Sequence, residues 1–584
     1  MKSRWQLRAV DPEAARRIAR KKNLPELVAR LLVARGHTEP EATARHLEAS
    51  LHSLHDPALL PGLAAATERI ARARRDGERI LIHGDYDVDG VTGTALLARL
   101  FRLIGADADW FIPNRFSDGY SFGPHSVERC RERGAKVVVS VDNGTSAGAT
   151  IAELNELGID TIVTDHHEPP PDGLPAAAAI VNPKLPGSTY PFRELCGAGV
   201  AFKLAWGVCQ EVSGARRVKD DLRAFLMDAM GYVALATVCD VVPLIDENRV
   251  LARRGLQALE QTTHPGLRAL LAVAGLDGQR LAAEDVGYQL GPRLNAAGRL
   301  ASAGLAVGLL LADDDEQARG LAGELDAMNI ERRRIESELF ALADAQARSF
   351  ADPERWPVMV VAGEGWHQGV VGVIASRLVK AYRRPALVIG LDGATGRGSA
   401  RSVAGFDVLG AMHGGAEWME RYGGHSQAAG CELRAENVVP LREAVCERAA
   451  AMLSGEPLSE SILWIDGDLD LQRMTPELMG YIDRLEPFGE ANEKPVIFSG
   501  DLRLAEPPRT VGKDGSHLIL SVRRSAQVYK ALAFGMAGRV DELRMGEPLH
   551  VVYTPRWNTF RGERSLELHL HDFRTGATPD LSGA

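Results

Sequence analysis

Apolar positions in the first half of the chain come in short unbroken runs. "RILIHG" (79–84), "AKVVVSVDNG" (135–144), "DTIVTDHHE" (160–168) and "AAAIVNPK" (177–184) are separated by stretches of helical periodicity. Runs of this kind predict strands buried on both faces, and their alternation with helices predicts a parallel α/β sheet. Residues 1–75 read as helical, and Thr38 and Glu41 in "HTEPEATARHL" have the spacing of a capping box.

The pattern then changes twice. "ELDAMNIERRRIESELFALADAQARSF" (324–350) is a long amphipathic run that predicts a helix connecting two domains. A second α/β pattern begins at "WPVMVVAGEG" (356–365) and continues to about residue 455. Beyond it, "HLILSVRR", "VYKALAFGMA", "PLHVVYTPRW" and "RSLELHLHDF" alternate with period two, as in a small antiparallel barrel. The expected division is an N-terminal helical segment (1–75), a first α/β domain (76–300), connecting helices (301–350), a second α/β domain (351–455), a barrel (456–575) and a tail (576–584).

Composition adds limits. A chain of 584 residues exceeds a single core. At 45% hydrophobic and 25% charged it reads as an ordinary globular protein. Charge interrupts the apolar runs at Lys203, Asp240 and Arg377, and the first residues lack the apolar core of a secretion signal. A cytoplasmic location is expected. The six cysteines form no C-x-x-C pair and read as reduced, buried thiols. A net charge of −10 disfavours a nucleic-acid coat protein but leaves room for a local basic groove.

The chemistry lies at the strand ends. Asp85 and Asp87 follow the first run in "HGDYDVDG", Asp142 follows the second, and Asp165, His166 and His167 follow the third. Asp240 interrupts the apolar "ALATVCDVVPL". A lone aspartate after a strand is ordinarily a helix cap or an Asx turn, and Asp89 fits that use. Four such sites together would repel unless cations reversed the sign. Oxygen ligands with one imidazole suit Mn²⁺ or Mg²⁺, and the lack of thiolates argues against structural zinc. Two such ions hydrolyse phosphodiesters.

"GDYDVDG", "VDNG" and "TDHHE" resemble the DHH phosphoesterase superfamily. The ordered set "PNRFSDGY", "LCGAGVAFKL", "GPRLNAAGRL", "GRGSARS" and "GGHSQAAG" resembles, within it, the RecJ family of 5′→3′ exonucleases specific for single-stranded DNA, over almost the whole chain. The resemblance implies a DHH catalytic domain, a DHH-associated domain and an OB-fold. It implies two ions held by Asp85, Asp87, Asp142, His166 and Asp240, with Asp87 and Asp142 bridging. His167 would face the scissile phosphate, with Asp165 behind it as its orienter. It implies a role in DNA repair and recombination, a monomer, and a single-strand binding protein and a RecQ-type helicase as partners. Two loops depart from the family pattern. Gly119-Tyr120-Ser121 stands where "GYG" is common, and "PFGEAN" has Ala491 where glycine is common.

Donors for a 5′-terminal phosphate are Arg115 in "NRFSDGY" and Ser399 and Arg401 in "GRGSARS". Arg293, Asn295 and Arg299 in "GPRLNAAGRL", and Gly424 and His425 in "YGGHSQAAG", are candidate strand contacts. In "VVYTPRWNTFRGER", aromatics alternate with arginines, which makes Arg556 and Trp557 candidates for single-strand binding. The alternatives are a phosphodiesterase for short oligonucleotides or cyclic dinucleotides, a catalytically silent scaffold and a soluble pyrophosphatase. The barrel disfavours the first, and the full ligand set disfavours the scaffold. The pyrophosphatase would share the ligands but not the single-strand features.

Overall fold

A computed structural model describes residues 3–114, 118, 122–454, 462–560 and 563–582. The chain opens with β1 (Arg4–Leu7), α1 (Pro12–Lys22), α2 (Glu26–Ala34) and α3 (Pro40–Glu48). Thr38 does not cap α3. That helix starts behind Glu39 without a side-chain cap, because Pro40 takes the first helical position and moves the start one residue past the box.

α4 (Leu63–Asp76) leads into a five-stranded parallel sheet of β2 (Ile80–His83), β3 (Ala108–Phe111), β4 (Val137–Val141), β5 (Asp160–Thr164) and β6 (Ala179–Val181), in the order β3-β2-β4-β5-β6. The four apolar runs are four of these strands. β3 is the added edge, half-buried and interrupted by Asp109, so it shows no apolar run. The helices are α5 (Val88–Ile104), α6 (Pro124–Glu132), α7 (Gly148–Glu156), α8 (Gly197–Ser213), α9 (Asp220–Cys239) and α10 (Asp246–Glu260). Ile80, Ile82, Val137 and Val139 pack against α5 and α8. Leu81, Val138 and Val163 point the other way, to Val127 of α6 and Ile151 of α7. By length and composition α9 could cross a membrane, but its apolar window is 67% buried inside the protein, against α5, α8 and α10.

α11 (Pro265–Val273) precedes a continuous helical run of α12 (Ala283–Asp285), a π-helical turn (Val286–Leu290) and α13 (Gly291–Leu300). α14 (Gly304–Leu310) and the 33-residue α15 (Asp315–Ala347) follow. Asp314 caps α15, which spans roughly 50 Å at 1.5 Å per residue.

The second α/β domain holds β7 (Met359–Glu364), α16 (Val371–Tyr382), β8 (Ala386–Asp392), β9 (Thr395–Arg401), α17 (Val408–Met412), β10 (Arg421–His425), β11 (Ala428–Arg434) and α18 (Val438–Leu453). Its sheet order is β10-β11-β9-β8-β7, with only β7 and β8 parallel.

The last domain begins with β12 (Ile462–Ile465), β13 (Gly467–Asp468) and α19 (Pro476–Asp483). β14 (Ile497–Leu504), β15 (Arg509–Val511), β16 (His517–Arg524), β17 (Gln527–Ala533), β18 (Leu549–Phe560) and β19 (Glu563–Thr575) follow. The pairing of β14 with β16 closes the order β14-β18-β19-β17-β16 on itself. The barrel is mixed rather than wholly antiparallel, since β17 and β19 run parallel.

The N-terminal segment is neither all helical nor separate. β1 pairs parallel with β12, and buried Trp5 donates from Nε1 to Asp572 at 2.8 Å. Ile18, Leu31 and Leu32 of α1 and α2 share one core with Leu520, Val551 and Phe573 of the barrel. Arg249 of α10 ties this body to the first α/β domain. It is 1% exposed and donates to the backbone oxygens of His46, Leu485 and Glu486 at 2.7–2.8 Å, and of Arg484 at 3.2 Å. Asn492 holds the same loop through Leu485 O and Pro487 O.

Arg249→Met removes every one of these donors and leaves buried carbonyls unpaired. It should lower unfolding stability by roughly 3 kcal/mol or more. Denaturant titration checks this, and a loss below about 1 kcal/mol would contradict the role.

Candidate metal centre

The carboxyl ends of β2, β4 and β5 converge. Asp85 and Asp87 follow β2, and Asp87 caps α5 by accepting from the N–H groups of Asp89 and Gly90. Asp142 follows β4 in the left-handed region, at φ 64°, which is rare for a residue other than glycine. Its N–H donates to Thr164 O at 2.9 Å, tying it to β5. His166 follows β5, and Asp240 ends α9. The next residue, Val241, also has positive φ, at 58°, an outlier for a β-branched side chain. Strain thus flanks the site on two elements.

Two glycines allow the close approach. A Cβ on Gly197 would lie 2.6 Å from Asp142 Cβ, and one on Gly90 would lie 2.4 Å from Asp85 N.

Ligand atoms of Asp85, Asp87 and Asp142 come within 4.8 Å of one another, as do those of Asp89, His166 and Asp240, and those of Asp142, His166 and His167. His166 Nε2 lies 3.2 Å from Asp142 Oδ1 and 3.7 Å from Asp240 Oδ2. All five residues expected to bind ions are therefore brought to one place, with Asp142 shared between groups.

The electrostatics fit a missing positive charge. Burial, with the neighbouring carboxylates, pushes Asp142 well above the usual carboxylate range and Asp240 up to about 8. Asp142 Oδ1 is buried without a hydrogen-bond donor. Burial and the neighbouring His167 push His166 down to about 3, so its imidazole is neutral and its lone pair is open to a cation. Oxygen-rich donors with one neutral imidazole are what Mn²⁺ or Mg²⁺ takes.

Asp89 is 1% exposed and accepts from Gly197 N and Ala198 N, both at 2.6 Å. It sits on the N-terminus of α8, where peptide dipoles favour an anion. Burial, with Asp87 beside it, still pushes it up to about 7. Its place in the sequence suggests a local cap or turn; in the fold it joins "DVDG" to "CGAG" instead.

Asp165 holds the tip of β5. It accepts from Thr145 N, His166 N and His167 N, and pairs with His167 Nδ1 at 2.7 Å. Burial would raise its carboxyl, but these bonds outweigh it and hold it low. The bond to Asp165 raises His167 to about 9, which makes it an imidazolium at neutral pH. Its side chain is 60% exposed, beside the cluster.

The outer candidates divide. Ser399 and Arg401 stand at the start of α16. A Cβ on Gly372 would meet Ser399 Oγ at 3.1 Å and Arg401 Nη2 at 3.3 Å, and Arg401 Nη1 donates to Ser399 Oγ. Burial lowers the Arg401 pKa, with no carboxylate offsetting it among the described residues. Asn295 Oδ1 accepts from Val88 N beside Asp87, and Arg299 donates to Gly369 O. Gly424 and His425 lie on the exposed edge strand β10. Arg115 and Gly119-Tyr120-Ser121 lie outside the described residues.

Three candidates have partners within the protein. Arg293 spends its guanidinium on Asp326, Gln289 O and Val273 O, which fixes α13 to α15. Arg556 forms a two-pronged pair with Glu284, and Trp557 donates to Asp483 and lies under Arg564. These groups join parts of the protein to one another. Charge and aromaticity were visible in the sequence; the protein partners that use them were not.

Cys239 and Val241, the chain neighbours of Asp240, line a cleft of about 550 Å³ between α9, the run Ala283–Leu300, α15, α16 and the barrel loop 488–494.

Three family models match the chain. The "DHH family, N-terminal domain" covers residues 79–237, the "DHHA1 domain" 356–451 and the "RecJ OB domain" 465–572. The single-stranded-DNA-specific exonuclease RecJ of Bacillus subtilis (strain 168) is 35% identical, over 98% of this chain and 71% of its own length. That of Escherichia coli (strain K12) is 36% identical, over 93% and 95%. The crystal structure of RecJ in complex with Mn²⁺ from Thermus thermophilus superposes with a TM-score of 0.82 at 30% identity, over 98% of this chain and 80% of that one. The corresponding Mg²⁺ complex gives 0.76 at 28%.

Gly197→Ala should push Asp142 out of place and weaken Mn²⁺ binding by about tenfold or more. Titration calorimetry with Mn²⁺ checks this, and an unchanged affinity would separate Gly197 from the centre.

Proposed function

The chain belongs to the RecJ family, and from that premise we propose that its carboxylate cluster hydrolyses single-stranded DNA to mononucleotides from the 5′ end, in DNA repair and recombination. It is a metal-dependent exonuclease specific for single-stranded DNA. Asp142 carries the assignment of the site: a buried carboxylate crowded by others, with one oxygen lacking any donor.

In this reading Asp85, Asp87, Asp142, His166 and Asp240 would hold two Mn²⁺ or Mg²⁺ ions. Bound there, the ions would supply a hydroxide nucleophile and neutralise phosphoryl charge. His167, held by Asp165 as an imidazolium, donates to an oxygen of the scissile phosphate as charge builds there. Ser399, Arg401 and the N-terminus of α16 take the terminal 5′-phosphate. Asn295, Arg299, Gly424 and His425 line the path of the strand. Residues 76–300 carry catalysis, 351–455 cover the strand from the other side, and 456–575 guide it in. A monomer in the cytoplasm fits this activity. An enzyme that needs a free single-stranded end is served by a helicase that makes one and by a protein that coats it.

Digestion of 5′- and 3′-labelled single strands, with and without Mn²⁺ and beside a blunt duplex, tests the reading. Immediate release of the 5′ label from the single strand alone, and only with metal, is expected. Cleavage confined to dinucleotides would assign a short-substrate phosphodiesterase instead. Asp142→Ala should lower the rate by about 1,000-fold or more while the strand still binds. Turnover near the wild-type rate would remove Asp142 from the centre. Arg401→Ala should cut the preference for a 5′-phosphorylated over a hydroxyl end by about tenfold, the worth of one charge-assisted bond. An unchanged ratio would take Arg401 out of the terminal pocket.

A further inference from the structure

The helical run from Ala283 to Leu300 is interrupted by the π-helical turn Val286–Leu290, where Gly291 N–H donates to Val286 O. A π turn inserts a residue into the α ladder at the expense of hydrogen-bond geometry, and such turns recur at functional sites. This one carries Tyr288. At 73% exposure, Tyr288 is the most exposed large hydrophobic side chain among the described residues. Its ring and hydroxyl make no aromatic contact, hydrogen bond or ion pair there.

An exposed tyrosine alone means little. Two further observations give this one a role. The side chain lines the cleft of about 550 Å³ that Cys239 and Val241, the chain neighbours of Asp240, also line, along with Asn295, Arg299 and Lys494. The turn beneath it is also registered to the metal ligands. A Cβ on Gly291 would lie 2.3 Å from Cys239 Sγ, and Cys239 directly precedes Asp240. One turn further on, Asn295 holds the N–H beside Asp87. Tyr288 is therefore a solvated aromatic surface at a fixed offset from the metal centre. Glu490 and Glu493 belong to the barrel-loop wall of the same cleft. Carboxylates there repel phosphates, although Lys494 stands on the same wall, and Arg299 offers a cation for the backbone elsewhere in the cleft.

We propose that Tyr288 stacks on a nucleobase of the bound single strand and so sets which phosphate reaches the metal centre. It is a positioning residue, and this inference rests on the single-strand nuclease reading above. Stacking on an aromatic ring tolerates any base, as a nuclease without sequence preference requires.

The test is a cycle of protein and DNA changes, with binding measured in EDTA so that nothing is cut. Wild type, Tyr288→Ala and Tyr288→Phe are each titrated with strands carrying one abasic position, moved stepwise from the 5′ end. Tyr288→Ala should bind intact strands about tenfold more weakly, and Tyr288→Phe about as well as wild type. Removing one particular base should weaken wild type by about tenfold and leave Tyr288→Ala unaffected, while other positions show no coupling. With metal, Tyr288→Ala should raise KM more than it lowers kcat. Additive effects at every position, or a Phe variant as weak as the Ala variant, overturn the inference. If wild type binds and cuts single strands but shows no coupling, the stacking role alone fails. If wild type neither binds nor cuts them, the nuclease reading fails and the stacking role with it.

Discussion

Carboxylates crowded into a protein interior repel one another, and the first domain is built around that repulsion. Asp85, Asp87, Asp89, Asp142 and Asp240 gather beyond the strand ends of one sheet. Two like charges about 4 Å apart cost about 4 kcal/mol at an effective dielectric near 20. The fold offsets part of this. Asp87 caps α5 and Asp89 rests on the N-terminus of α8, while His166, kept neutral, adds no compensating charge. What remains falls on Asp142 and Asp240, whose carboxyls are driven toward protonation without a cation. A divalent ion reverses that balance.

The same constraint explains where the backbone is strained. Asp142, itself at a ligand position, and Val241, next to Asp240, both have positive φ. Such conformations cost of order 1–3 kcal/mol each and persist only where the surroundings over-determine them. Here the surroundings are two β strands, the Asp142 N–H bond to Thr164, and a glycine that lets α8 press against Asp142. Rigid elements aim the side chains, and the cost is met by packing well away from the charges.

Much of this was legible in the sequence, for physical reasons that vary by feature. Unbroken apolar runs marked four strands of the first sheet, because a strand buried on both faces has no polar side to hide it. Aspartates and histidines after those runs marked the carboxylate and histidine cluster, because strand ends in a parallel sheet open on one side. Partnership was not legible. Arg293 and Arg556 read as phosphate contacts, yet carboxylates 33 and 272 residues away consume them. The union of β1 with β12, and of α1 and α2 with the barrel, rests on contacts that no local pattern encodes.

Arg249 shows the same logic at the joint between bodies. Its guanidinium reaches successive carbonyls of the loop 484–487, and Asn492 fastens the loop from the other side. Just beyond, Ala491 has φ 56°, a conformation glycine would take without strain. The bonds around it explain why alanine is tolerated there. They fix Gly489 against Asn492, and Leu244 N against Glu490 O, so the turn is set by its neighbours and not by its own preference. Leu244 follows closely after Asp240 in the chain, and the loop forms one wall of the cleft. The interdomain joint and the metal centre are therefore linked by a short stretch of backbone. A displaced barrel would carry the cleft wall with it.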